Sequence, residues 1–453
     1  MNKPRTRLTE GPVGRHLVAM TVPVLAGIAT MMAQGLVDTF FIGQVGDREL
    51  AAFGFGFPIL MIVTSVAIGL GAGTSSVVAR AIGRDDHRRA RRLATDSLLL
   101  SFLVTFVISM IGILTIDPLF RLLGAPEDML PLISGFMTIL YIGVPFIVVG
   151  MVGMASMRAT GDTRLPGLLM IIAAVLNVAL DPILIFGLGP IPAMGLNGAA
   201  MAALLARGAI FVGTLYLLRY RLDLVTFNRP VASELRSSWR DILHVGIPAA
   251  GTNVIVPLGA TLVTALLARF GTDAVAGFGV ASRIESLLLV IFYALSAIIG
   301  PFVGQNFSAV KEDRIHRALW LCTAFSLASS AVYAIVLGAL SGVIPQLFTD
   351  SAEVADVTRL FLLIVPFSYG TYGMVMIMNA AFNGLGNPMP AVWISVARIL
   401  VLYVPLAYAG AAMFGIPGVF GAYAIANVVA GFGAYAWARG SVRRLCAAEA
   451  GAG

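Results

Sequence analysis

The stretch LVAMTVPVLAGIATMMAQGLVDTFFIG, residues 17–43, holds one carboxylate, Asp38, inside Gln34-Gly35-Leu36-Val37-Asp38-Thr39. The run exceeds the roughly 20 mainly apolar residues that a helix needs to cross a bilayer, so it reads as a membrane span. A charge at the centre of such a span costs about 3 kcal/mol or more, and it normally faces a cavity or a partner on an ion or proton path. Asp38 is therefore the residue that function has to explain.

The rest of the chain repeats the pattern of the first run. Of 453 residues, 58% are hydrophobic and only 12% are charged, and the mean hydropathy is +0.92, well outside the make-up of a soluble domain. Further runs lie near 51–79, 93–116, 130–157, 166–187 and 196–218, and a second set near 242–268, 275–304, 316–340, 356–382, 389–413 and 416–438. The fold class is all-α integral membrane, with twelve transmembrane helices. The first run is too long for a signal-peptide core and shows no cleavage site, so it is expected to be retained. Cys322 and Cys446 lack the number and spacing of a disulfide framework or a zinc site.

Orientation follows from the 30 Lys and Arg. Four fall in odd-numbered connections and three, Arg207, Arg283 and Arg398, within spans, while the other 23 occupy the termini and even-numbered connections. Lys and Arg accumulate on the cytoplasmic side, so both termini are expected in the cytoplasm of a multi-pass protein of the inner (plasma) membrane. The basic loop from Arg80 to Arg92 and the net charge of +7 read as topology and contact with membrane lipids, with no nucleic acid as partner.

Laying residue n on n+225 superposes the two halves. Pro23 meets Pro248, Gly46 meets Gly271, Gly54 meets Gly279, Arg89 meets Arg314 and Gly161 meets Gly386; with a two-residue slip, Pro182 meets Pro405. The predicted domains are an N-terminal lobe, 1–225, and a C-terminal lobe, 226–453, of six spans each. An even number of spans per half makes the repeats parallel, related by a pseudo-two-fold along the membrane normal, an architecture that rocks about a site. The acids break the symmetry: Asp38 falls on Val263, and Asn177 and Asp181 fall on Leu400 and Val404.

Asn177 precedes Asp181 by one helical turn on the same face of span five, and Pro182 interrupts the helix next to the acid. Two carboxylates in one low-dielectric cleft compete to carry charge, which suits a pair that takes up and gives back a proton. Carboxylate and amide oxygens also suit sodium. Buried acids satisfied by Asn, Thr and Tyr neighbours are the purely structural alternative. Glu285 is a second candidate acid, with Arg398 as a possible partner, and Arg207 could reach toward Asp181. Met31 and Met154, with Gln34, Arg283 and Glu285, are candidates for a substrate cavity, since methionine adapts to varied ligands. Phosphate-loop, dinucleotide and HExxH signatures are absent and the four histidines are scattered, so neither an enzyme nor a metal site is predicted.

In order and spacing, these residues resemble the multidrug and toxic compound extrusion (MATE) family. The likeness spans about 15 to 440 and rests on Pro23, Gln34 to Thr39, Gly43, Gly46, Arg158-Ala159-Thr160-Gly161-Asp162, Asn177 with Asp181-Pro182, Gly304-Gln305-Asn306 and Gly384 to Pro388. It implies export of small organic, often cationic and amphipathic compounds in exchange for protons or sodium, with no cofactor besides the coupling ion. The acids are placed as in the DinF-like branch, which implies coupling by Asp38, Asn177 and Asp181, with Tyr141 as a fourth member and Pro23 as the hinge. That branch often has a threonine where this chain has Ala203, which favours protons over sodium. A monomer is expected. A sodium-coupled drug antiporter, a flippase for lipid-linked precursors with Arg207, Arg283 and Arg398 around a phosphate head, and a non-transporting channel or scaffold are the other readings.

Overall fold

The computed structural model describes residues 8–226 and 231–452. All the long elements among them are helices, and twelve helical segments are long and apolar enough to cross a membrane. The first six are Val13–Val45, Asp47–Gly83, His87–Leu114, Leu130–Ala159, Arg164–Ile185 and Leu196–Arg221; the second six are Ala232–Phe270, Val290–Ser308, Glu312–Leu340, Ala352–Gly384, Met389–Phe414 and Ile416–Gly451. They are spans one to twelve below. A helix satisfies its backbone groups internally, which is why apolar runs of this length become helices in lipid. Local signals set their ends. Asp86 accepts from the Arg89 backbone N–H at 2.9 Å to start span three. Gly161 and Gly386, equivalent in the repeat, close the turns after spans four and ten with φ of 88° and 75°, values that favour glycine.

Span eight departs from the sequence reading. The run near 275–304 is two helices, Thr272–Leu288 and Val290–Ser308, broken at Leu289. Arg283 and Glu285 thus lie on a separate segment before the break.

The compact units also differ from a division at 225/226. One unit comprises Val22–Ala250, and residues 8–21 fall with residues 251–452. Hydrogen bonds within each unit account for this. Arg314 donates to the carbonyls of Leu8, Glu10 and Gly11 at 2.8, 3.1 and 2.6 Å and to Asn306 Oδ1 at 2.9 Å. Gln305 Oε1 accepts from the Leu8 backbone N–H at 3.2 Å, so the start of span one is anchored on the second unit's side chains. In the first unit Arg89, the repeat partner of Arg314, donates to Ser238 Oγ at 3.3 Å and to Asp241 Oδ2 at 3.2 Å. Gly69 admits the backbone of Gly246, since a Cβ there would lie 2.6 Å from that residue's carbonyl oxygen. The start of span seven is thereby held against spans two and three.

Candidate functional site

The acid site is built where spans one, five and six pack. Span one runs as one helix through Pro23, although proline leaves the carbonyl of Ala19 without its helical donor. Gly167 of span five seats this point: a Cβ at Gly167 would stand 2.5 Å from the Pro23 carbonyl oxygen and 2.9 Å from its carbon. One turn on, Gly27 lies against Met170, whose sulfur a Cβ would approach to 2.9 Å. These contacts set the register that brings Gln34 and Asp38 level with Asn177 and Asp181.

Within the site, Gln34 Nε2 donates to Asp38 Oδ2 at 3.3 Å and also meets the Asn177 amide. In one orientation of its amide Asn177 Oδ1 accepts from Gln34 Nε2; with the amide turned, Asn177 donates to Asp38 Oδ1 at 3.0 Å and accepts from the Ala203 backbone N–H at 3.1 Å, and its NH2 then meets Gln34 Nε2. Span six therefore joins the site through its main chain at the position where a side-chain oxygen is missing. Asp181 follows Asn177 by one turn on the same face of span five, the face that Asn177 turns to Asp38. Asp181 is 1% exposed, and among the described residues neither of its oxygens has a donor. A buried carboxylate in that state is costly, and a bound proton would relieve it.

Asp38, Asn177, Asp181 and Gln34 thus come together. The structure turns Tyr141 elsewhere: it is buried with its ring against Gly112 of span three, and its carbonyl accepts from Ser109 Oγ at 2.7 Å. Met31 lines a crevice of about 40 Å³ with Gln34, Met170, Ala203 and Arg207. Met154 does not reach that wall; it is buried against Met170, Ala206 and Ile210. Arg207 borders the same crevice as Gln34, the donor to Asp38.

A second polar cluster lies in the C-terminal lobe. Tyr423 donates to Glu285 Oε1 at 2.7 Å. Arg398 is 2% exposed, donates to Asn427 Oδ1 at 2.9 Å and lies over the Tyr372 ring at 4.2 Å; Asn427 in turn donates to Ser368 Oγ at 3.1 Å. Among the described residues Glu285 and Arg398 form no direct ion pair; a tyrosine and an asparagine take up the groups they would have shared. Arg398 sits in a π-helical stretch, Ala397–Tyr403, a widening that often accompanies functional positions. Arg283, two residues from Glu285, is exposed. Span twelve's Tyr423 and Asn427 were not anticipated, although their spacing of one turn could have shown them to share a face.

Twelve spans in two six-span halves, with a buried Asp181 and a half-buried Asp38 in one of them, define a polytopic membrane transporter of duplicated type. The family model MatE matches residues 23–183 and again 248–409, and the chain belongs to that family. The two matches begin 225 residues apart (248 − 23), the offset of the internal repeat. Over 447 residues the chain is 38% identical to a protein of Shewanella oneidensis named "FAD transporter", covering 98% of this chain and 97% of that one. It is 27% identical to "Probable multidrug resistance protein YoeA" of Bacillus subtilis over 87% and 86% of the two chains. An aspartate-to-asparagine mutant of the Vibrio cholerae MATE transporter VcmN superposes with a TM-score of 0.91 at 31% identity, over 95% of this chain and 97% of that one. The chain is thus a membrane transporter rather than an enzyme.

Proposed function

We propose that this protein exports amphipathic organic compounds in exchange for protons, by alternating access. The observation that carries this reading is Asp181, buried one turn from Asn177, the partner of Asp38, with no donor on either carboxylate oxygen among the described residues. Such a pair is suited to binding a proton in one state and releasing it in another. With both ends of the chain cytoplasmic in the inner membrane, Asp38 and Asp181 lie in the outer half of the bilayer. A proton entering from outside cancels charge on the pair, which weakens its hold on a cationic solute and rearranges span one about Pro23. Return to the inward state delivers the proton to the cytoplasm. Coupling comes from the different affinities of the two states for proton and solute. The working unit is a monomer in contact with lipid.

The experiment is accumulation of a dye in vesicles holding the purified protein, with proton and sodium gradients imposed separately. Asp38→Asn is expected to abolish uphill accumulation under a pH gradient. Accumulation equal to that of the unaltered protein, or dependence on sodium alone, would overturn the choice of ion and residue.

A second reading concerns the substrate. The Shewanella relative named as an FAD transporter aligns along almost its whole length, which favours a flavin dinucleotide as cargo. Release of FAD from preloaded vesicles, compared with release of a cationic dye, distinguishes the two. A lipid-linked phosphate head is less favoured, because Arg398 is enclosed by Asn427 and Tyr372.

A further inference from the structure

Arg207 stands near the middle of span six, one turn beyond Ala203, whose backbone N–H meets Asn177. It borders the crevice of about 40 Å³ shared with Gln34 and Met31. That volume admits a water or a small ion, not an organic solute, whose pockets run to about 300 Å³ or more. Among the described residues Arg207 makes no hydrogen bond or ion pair; it shares the crevice wall with Gln34, whose amide donates to Asp38 Oδ2 at 3.3 Å. The other elements around it add no countercharge. Span one brings Asp38 and span five Asp181, while span four, packed on span six, carries no charged side chain before Arg158 and turns Tyr141 to Gly112. Two carboxylates and one guanidinium leave the ionised site with a single net negative charge.

We propose that Arg207 is a tethered counter-cation: it cancels one of the two carboxylate charges for good, so the site exchanges one proton per cycle and rejects sodium. The proposal rests on the proton-coupled reading above. A sodium ion wants several oxygen ligands; here it would meet Asp38, Asp181 and two amides, but also a fixed positive charge and, at Ala203, no side-chain oxygen. A proton needs one oxygen and tolerates the guanidinium nearby. In Arg207→Gln both carboxylates are left to mobile ions, and the crevice gains space and an oxygen.

Two measurements test this. Equilibrium binding of radioactive sodium to the purified protein is expected to be absent or weak in the unaltered chain and in Arg207→Lys, and at least about tenfold tighter in Arg207→Gln, in line with removal of a nearby like charge. In vesicles with the membrane potential clamped, the pH difference that just holds an imposed ethidium gradient static gives the protons exchanged per ethidium. One is expected for the unaltered chain and two charges, met by protons or sodium, for Arg207→Gln. A slope of two in the unaltered chain overturns the proposal. So does an Arg207→Gln or Arg207→Met protein that melts like the unaltered one and neither binds sodium nor changes the slope. If the unaltered chain moves no solute under any gradient, the export reading falls, while sodium binding by the variants still decides the role of Arg207.

Discussion

Replacing Gly167 by alanine adds one methyl group where the structure leaves no room. The new Cβ would lie 2.5 Å from the Pro23 carbonyl oxygen, 2.9 Å from its carbon and 3.1 Å from its Cβ. Backbone atoms cannot rotate away as a side-chain tip can, so spans one and five must separate by several tenths of an ångström. Overpacking of this kind costs about 1–3 kcal/mol, set against the roughly 0.5–1 kcal/mol that alanine gains over glycine in a helix. The matched control is Gly433→Ala in span twelve, where an added Cβ meets nothing within 4 Å and only the helix gain remains. The melting midpoint of Gly167→Ala in detergent should fall below that of Gly433→Ala, by up to about 10 °C at roughly 2–4 °C per kcal/mol, while Gly433→Ala stays level or is slightly raised. Gradient-driven transport by Gly167→Ala should fall as well, because the shift displaces Gln34 and Asp38 from Asn177. A Gly167→Ala protein that melts no lower than the control would refute the claim that this glycine seats Pro23.

Arg314→Ala deletes four hydrogen bonds, three of them to the backbone of residues 8–11. Hydrogen exchange over residues 8–16 should speed up by at least about tenfold, given about 1.5–3 kcal/mol for bonds from a charged donor, with little change around Arg89. Tyr423→Phe removes the hydrogen bond that Tyr423 donates to Glu285 and should cost about 1–3 kcal/mol, read as a lower melting midpoint; Glu285→Gln together with Tyr423→Phe should cost less than the sum of the single changes.

The spans were legible because lipid leaves the backbone no alternative to the helix, and the repeat because prolines and glycines at turns and close contacts keep their places in both copies. Asp38, Asn177 and Asp181 were legible for a related reason: a carboxylate in an apolar run has few tolerable surroundings, so two of them with an amide one turn away point toward each other. Tyr141 had no such constraint. Its ring is as well buried against Gly112 as it would be beside an acid, and nothing in its neighbours says which. The break at Leu289 has no Pro or Gly at the joint, and the Tyr423–Glu285 bond joins residues 138 positions apart. Both are consequences of packing that no local pattern carries. The hold of Arg314 on residues 8–11 runs through main-chain carbonyls, so the residue types there do not reveal it.

The first helix of each half begins in the opposite compact unit: residues 8–21 sit among the partners of Arg314, and residues 232–250 among those of Arg89. Exchange of such arms between two subunits is what a swapped dimer shows; here it occurs within one chain. Cutting the gene at the connection between the halves would therefore yield two fragments, each with an arm whose socket lies on the other. Such fragments should be stable as a pair and poor as individuals.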